Sequence, residues 1–506
     1  EVLEAVSATT ANPGSIVSVE VYLLDDDATG PVDGTLAASQ TEEVEYGGYH
    51  TIALDEPVAL GAGQRFSVVE RIEGYEGTYL PLEVAAYDKN DPDEAQGGYV
   101  KVQRAVANAG ESFYSADGGA TWSDVTTLSA ADVQGLIAPS RFGGYPAVYA
   151  EGGVGNVMIK AFTTDEAGAP DPEPDPDPED PDDPALRSSF DPREEGLVTP
   201  VRDQGGSDLC GPFASMAALE ASLVYDDAAS EGLIEAGLSP YHAVYFATMG
   251  DEEREAGGLN AFMPDNPYAG GISPFRIANS LAAGKGAVIV REGETDAAYD
   301  SMDEALRFAS DVRLAGTAAL GLAAGSYWEA LEGDALRAAA KRIIAEEGSV
   351  TAEFCSWQGP NFNGEHSCYY AAPNQTGYAA DHYVAVVGWD DDFPCENFNE
   401  AMRPECDGAW LVKNSWGADQ GDAGYFWISY EDASLDVQTA LFGEAKRAGE
   451  AMYQYDEAGW TDSLSVGGDA GWAANVFVAE RDEWLDRVQF CTTGIDTAYE
   501  GEGHRG

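Results

Sequence analysis

One cysteine in the sequence has the surroundings of a nucleophile. Cys210 lies in TPVRDQGGSDLCGPFASM, where a Gly-rich turn leads into an apolar stretch with helical spacing. A cysteine that opens a helix lies beside unpaired backbone N–H groups and the positive end of the helix dipole, and both lower a thiol pKa. We therefore expect Cys210 to act as a thiolate nucleophile.

A thiol nucleophile needs a base, and the base needs a group that orients it. His382 opens an apolar run in HYVAVVGW, and Asn414 closes the next one in AWLVKNSWG. A histidine can take the thiol proton, and an amide beside the imidazole can hold the reactive tautomer. Gln204 lies just before Cys210, across the Gly-rich turn.

Taken together, these motifs resemble the papain-like cysteine peptidases, in the chain order of that family and over residues 190–430. The resemblance implies that Cys210 is the nucleophile, that His382 is the general base and acid, and that Asn414 orients the imidazole. It also implies that Gln204 contributes its side-chain amide to the oxyanion hole, together with the backbone N–H of Cys210.

Further residues follow from the same resemblance. Trp416 is expected to shield the bond between histidine and asparagine, and Gly270 with Gly271, in AGGI, to bind substrate backbone. No cofactor or metal is expected. The runs VVGWDDDF, GGYHTIAL and PVALGAGQRFSVV resemble, more narrowly, the bacterial surface peptidases that carry a lectin-like domain.

Two positions depart from the family pattern. Gly211 stands where the family usually has Trp, so we expect the cleft to lose apolar cover and Gly211→Trp to improve turnover. Asp208 places a carboxylate close to Cys210, and we expect its charge to raise the thiol pKa.

The elements around these residues divide the chain into regions of different pattern. Short apolar alternations before the linker predict an all-β sandwich over residues 1–168 that is N-terminally incomplete, and the resemblance above implies that it is lectin-like. An acidic, Pro-rich linker follows at 169–186. Helical stretches and then strands predict an α+β peptidase domain over 187–444.

A segment near the C-terminus matches the beginning of the chain. The segment EWLDRVQFCT, residues 483–492, resembles EVLEAVSATT at residues 1–10. We therefore expect residues 445–506 to begin a second, truncated lectin-like sandwich within a longer tandem array.

Composition excludes several classes of partner. The 506 residues include 90 acidic and 26 basic ones, a formal net charge of −64, and no basic run that could follow a phosphate backbone. Nucleic acid is therefore not an expected partner. No apolar stretch is long enough for a transmembrane helix. The expected partners are protein or peptide substrates and a glycan ligand of the sandwich.

The remaining cysteines bear on location. Cys355 with Cys368, and Cys395 with Cys406, would each close a short local loop as a disulfide, leaving Cys491 unpaired. Paired cysteines indicate a secreted or cell-surface protein. The expected function is a cysteine endopeptidase with lectin-like accessory domains; the alternative is a catalytically weakened adhesion or glycan-binding protein.

Overall fold

A computed structural model describes most of both predicted regions. The described residues are 15–44, 46–73, 79–88, 102–103, 105–128, 132, 147–165, 187–248, 271–290, 303–320, 333–356, 359–373, 380–447, 449–456, 459–460, 462–466 and 470–492. The acidic linker at 170–184, Gly270 and the segment 1–10 lie outside them. No helix in this part of the chain is long and apolar enough to cross a membrane.

The first region is an all-β sandwich, as the alternating apolar pattern predicts. Valines at every second position of the first strand are buried, which directs one face to a core and the other outward. Its strands before the linker are β1 Ser15–Leu24, β2 Gly34–Val44, β3 Gly48–Leu60, β4 Arg65–Glu73, β5 Tyr79–Asp88, β6 Val102–Gln103, β7 Ser112–Ser115, β8 Ser123–Asp124, β9 Ala147–Val157 and β10 Ile159–Thr164.

The last strands of the chain complete this same sandwich. They are β20 Ala451–Tyr453, β21 Asp462–Ser465, β22 Ala470–Val478 and β23 Glu483–Thr492. Strand β22 lies between β4 and β7 in a six-stranded sheet ordered β2-β1-β4-β22-β7-β8, and β23 lies between β10 and β3 in a sheet ordered β20-β10-β23-β3. A further sheet is ordered β21-β5-β6, with β9 also paired to β5.

These pairings correct the expectation of a second sandwich at 445–506. Strand β23 pairs with β3 from Glu483 opposite Leu60 to Thr492 opposite Gly48, so it occupies an interior position of the first sandwich. Its alternate side chains Leu485, Val488 and Phe490 are buried in that core. The resemblance between residues 483–492 and 1–10 therefore does not mark the start of another domain.

The second region has the expected α+β organisation, with helices on a long mixed sheet. Its helices are α1 Pro192–Glu195, α2 Cys210–Tyr225, α3 Glu231–Ala236, α4 Pro240–Thr248, α5 Pro274–Ala282 and α6 Gly333–Glu347. Its strands are β11 Ser189–Phe190, β12 Val312–Ala319, β13 Val350–Phe354, β14 Phe362–Asn363, β15 Cys368–Tyr369, β16 His382–Asp390, β17 Ala409–Lys413, β18 Tyr425–Ser429 and β19 Asp436–Ala445.

The order of the strands in this sheet brings the predicted catalytic elements together. The order is β12-β19-β13-β16-β17-β18-β15-β14, with β11 paired to β16. Strands β16 and β17 are antiparallel neighbours, so the start of β16, where His382 lies, meets the end of β17, which Asn414 follows. Helix α2 packs against β16 and β19 and brings Cys210 to the same end.

The sandwich docks on the helical part of the peptidase region. The Tyr49 hydroxyl donates to Asn279 of α5 at 2.8 Å and accepts from the backbone N–H of Trp460 at 2.8 Å. Nearby, Lys160 and Asp456 form an ion pair with side chains only 1% and 0% exposed. Met158, Trp460 and Cys491 of the sandwich also share an apolar core with the helices of the peptidase region, so the interface combines apolar packing with specific polar contacts.

Candidate active site

Cys210 is the first residue of helix α2 and is half-buried. Its sulfur is hydrogen-bonded by the backbone N–H groups of Gly211 and Tyr383. Burial raises the pKa of the Cys210 thiol; these two bonds lower it, and the charges of Glu353 and Asp208 raise it again. The Gly211 amide at the start of the helix lowers the thiol pKa as predicted, but desolvation has the larger effect.

His382, the first residue of β16, is buried and directly precedes Tyr383, whose backbone N–H faces the thiol. Its Nε2 lies 2.8 Å from Oδ1 of Asn414, which also accepts the backbone N–H of Ser415 at 2.8 Å. An imidazole protonated at Nε2 donates to that oxygen and keeps Nδ1 as a proton acceptor. Burial lowers the pKa of His382, against the opposing effects of Asn414 and the charge of Asp381.

Trp416 covers the histidine, in the place that the resemblance implies. The rings of Trp416 and His382 stack with centroids 4.4 Å apart and planes 29° apart. Trp416 also lines a small cavity with Asn414, Phe354 and Phe426. The contact restricts the imidazole and excludes water from one of its faces.

Gln204 is held at the site by Ser415, the residue after Asn414. Its Oε1 accepts the Ser415 hydroxyl at 2.6 Å, and its backbone N–H donates to the Ser415 carbonyl at 2.8 Å. Its Nε2 donates to the carbonyl of Ser207 at 2.8 Å. Since an amide nitrogen carries two hydrogens, one N–H remains to stabilise an oxyanion.

Gly211 owes its identity to a close approach of two backbones. A Cβ built at this position would lie 2.0 Å from the carbonyl oxygen of Ile272. A tryptophan therefore does not fit, and the expectation that Gly211→Trp improves turnover is wrong. Gly271, next to Ile272, is exposed and has a left-handed φ of 58°; Gly270 lies outside the described residues.

A buried polar network beneath the site was not predicted. Glu220, on α2, accepts the Thr199 hydroxyl at 2.6 Å and Arg202 at 2.9 Å. Lys413, directly before Asn414, donates to Thr199 at 2.7 Å, and burial lowers its pKa to about 8. The network joins the helix that carries Cys210 to the strand that carries Asn414. Glu220 is the one charged residue on a mainly apolar helix, and this pattern could have indicated a buried polar network.

All six cysteines are free, so neither of the two expected disulfides is formed. The sulfurs have other partners: Cys368 donates to the carbonyl of Asn397 at 3.2 Å, Cys395 contacts Asp407 and Cys406 contacts Glu431. The ligand atoms of Cys395, Glu396 and Asp407 lie within 4.8 Å of one another, a spacing that could hold a metal ion.

An α+β fold with a helix-borne thiol and a histidine–asparagine pair is typical of the cysteine peptidases. Residues 325–444 match the family model described as papain family cysteine protease. Residues 1–134 and 452–502 match the lectin like domain, a split match that agrees with the strand order of the sandwich. Separate parts of the chain therefore match the papain family of cysteine proteases and the lectin-like domains.

Individual proteins resemble the chain at low identity. It is 27% identical over 245 residues to the thiol protease aleurain of Arabidopsis thaliana, covering 48% of this chain and 55% of that protein. It is 28% identical over 246 residues to cathepsin L1 of Drosophila melanogaster, covering 47% and 53%. The chain thus spans about half the length of these curated relatives.

Among solved structures, the chain resembles the cysteine protease and lectin-like domains of Cwp84, a surface layer associated protein of Clostridium difficile. The identity is 20% and the TM-score 0.44, and the match covers 63% of this chain and 81% of that one.

Proposed function

We propose that this protein is a secreted or cell-surface cysteine endopeptidase that uses Cys210, His382, Asn414 and Gln204. The observation that carries the proposal is the convergence of three elements. Helix α2 places the thiol against the backbone of Tyr383, the neighbour of His382, and the imidazole is bonded to Asn414 at 2.8 Å.

The arrangement supports acyl transfer in two steps. The thiol proton passes to Nδ1 of His382 as the sulfur attacks the carbonyl carbon of the substrate. The oxyanion is stabilised by Nε2 of Gln204 and the backbone N–H of Cys210. The imidazolium then protonates the departing amine, and a water activated by His382 hydrolyses the thioester and restores the thiol.

Hydrolysis of a fluorogenic peptide library by the parent protein and its variants tests this mechanism. Cys210→Ala should abolish hydrolysis while the circular dichroism spectrum stays unchanged, because the smaller side chain fits in the same space. His382→Ala should lose about as much activity, since residues that act as one unit are not additive. Cys406→Ser removes an exposed thiol and serves as the control. Equal hydrolysis by Cys210→Ala and the parent would refute the assignment.

We also infer a glycan ligand for the lectin-like domain. On the outer face of the six-stranded sheet, Trp472 lies against Trp122, with ring centroids 6.5 Å apart, and Arg71 lies 5.3 Å above the Trp472 ring. Half-buried aromatic rings offer an apolar face together with a polar edge. On a glycan array, the inactive Cys210→Ala protein should bind, and adding Trp472→Ala to it should abolish binding. Binding that survives Trp472→Ala would exclude this face.

The resemblance to bacterial surface peptidases supports an extracytoplasmic location. The cysteines do not, because none of them forms a disulfide. Fractionation of cells that produce the protein, followed by immunoblotting, tests this location. Recovery in the cytoplasm alone would contradict the proposal.

A further inference from the structure

A carboxylate outside the catalytic set borders the thiol. Glu353 lies on β13, opposite Tyr383 of β16 and Asp436 of β19. Its neighbours Ala352 and Phe354 are buried in the core of the sheet. Because side chains alternate along a strand, Glu353 points to the other face, where helix α2 packs.

Tyr383 connects this carboxylate to the nucleophile. Its backbone N–H bonds the sulfur of Cys210, and its hydroxyl donates to Oε2 of Glu353 at 3.1 Å. The negative charge of Glu353 acts on the thiol directly and raises its pKa. Glu353 is itself half-buried, so part of its side chain remains accessible on the strand next to the one that carries His382.

Two hydrogen bonds hold one carboxylate oxygen of Glu353 in place. Nε2 of Gln438 donates to the same Oε2 at 3.2 Å and also to Oδ2 of Asp436 at 2.9 Å. Tyr383 and Gln438 thus hold Oε2 of Glu353, and within the described part of the chain Oε1 has no hydrogen-bond donor and can accept one.

The charges around Glu353 are of one sign. Asp381 acts on it as a like charge, and among the described residues no Lys or Arg forms an ion pair with Glu353 or Asp436. Burial raises the pKa of Glu353, and it raises that of Asp436 to about 6. Partly buried carboxylates without a cation are stabilised when a cationic group reaches them.

We propose that Glu353 is a specificity-determining residue that selects a Lys or Arg side chain next to the scissile bond. The proposal rests on the peptidase function above and adds to it the chemical class of the substrate. A long cationic side chain can donate to Oε1 of Glu353 while its peptide carbonyl lies at Cys210.

Positional scanning of the peptide library with the full chain tests this preference. At one position flanking the scissile bond, kcat/KM should be about tenfold higher for Arg or Lys than for Leu, as expected for a charge-assisted hydrogen bond. Glu353→Gln keeps an acceptor for Tyr383 but removes the charge. It should abolish the preference and retain hydrolysis of the Leu peptides.

The acidity of the whole chain requires a matched control. Glu235→Gln removes one charge from an exposed position on α3 and should leave the preference unchanged. Asp436→Asn, which removes the neighbouring charge, should reduce it. A preference for Leu in the parent, or an equal preference for Arg in Glu353→Gln, would overturn the proposal while the peptidase function stands. No hydrolysis of any library member would overturn both.

Discussion

The contact between Gly211 and Ile272 makes a strong prediction about a single methyl group. In Gly211→Ala, the new Cβ would start 2.0 Å from the Ile272 carbonyl oxygen, whereas real Cβ atoms essentially never approach closer than 3.0 Å. The backbones must therefore separate by about 1 Å, since neither contact atom belongs to a side chain that can rotate away. We expect a loss of about 1–3 kcal/mol in the free energy of unfolding.

The same displacement should affect catalysis more than stability. The Gly211 N–H bonds the sulfur of Cys210, so a shift of the first turn of α2 moves both the nucleophile and a group that stabilises the thiolate. A misplacement of about 1 Å at reacting groups costs about 100-fold in rate. We expect Gly211→Ala to lower kcat/KM by about that factor and to slow alkylation of Cys210 by iodoacetamide.

Urea denaturation, peptide hydrolysis and alkylation rates measure the three effects. Gly232→Ala is the control, because no atom lies within 4 Å of a Cβ at that position of α3. There the methyl group should stabilise the protein by up to about 1 kcal/mol, as alanine is the better helix former. Parent-like stability and activity in Gly211→Ala would refute the reasoning.

Three further predictions concern charges. Asp208→Ser should speed alkylation of Cys210 by iodoacetamide at mildly acidic pH, because the Asp208 charge raises the thiol pKa; an unchanged rate would mean that solvent screens it. Asp456→Ala should cost about 3–5 kcal/mol in urea denaturation by leaving Lys160 buried without its counter-ion, whereas Lys160→Met with Asp456→Leu should cost less; the reverse order would contradict this. Burial lowers the pKa of Lys413 to about 8, so between about pH 8 and 10 the unfolded chain binds this proton more tightly than the folded protein does. The free energy of unfolding should therefore gain a contribution as pH rises through this range, and Lys413→Met should lose it. The same dependence of unfolding free energy on pH in both proteins would contradict this.

The candidate site was largely predictable from local sequence. Cys210, His382 and Asn414 each lie at one end of an apolar element, and such ends meet when helices and strands pack side by side. Glu353 was not predictable in this way, because it lies inside an ordinary strand. Its relation to the thiol depends on the register between β13 and β16.

The sandwich shows the limit of local pattern more clearly. Alternating apolar residues predict strands at both ends of the chain, but alternation does not specify which strand is the partner. The place of β22 between β4 and β7 depends on contacts between segments about 400 residues apart in sequence. The chain therefore has one discontinuous lectin-like sandwich where its sequence predicted two.

The division into an all-β region, an acidic linker and an α+β region can be predicted from the amino-acid sequence, as can the types and order of the candidate catalytic residues. These properties follow from composition and short-range periodicity, which each segment carries alone. Three features instead depend on tertiary packing: the closure of the sandwich by β22 and β23, the need for glycine at position 211 and the charge of Glu353 beside the thiol. Each of these depends on which distant backbones come within contact distance, and hydrophobic pattern leaves that choice open.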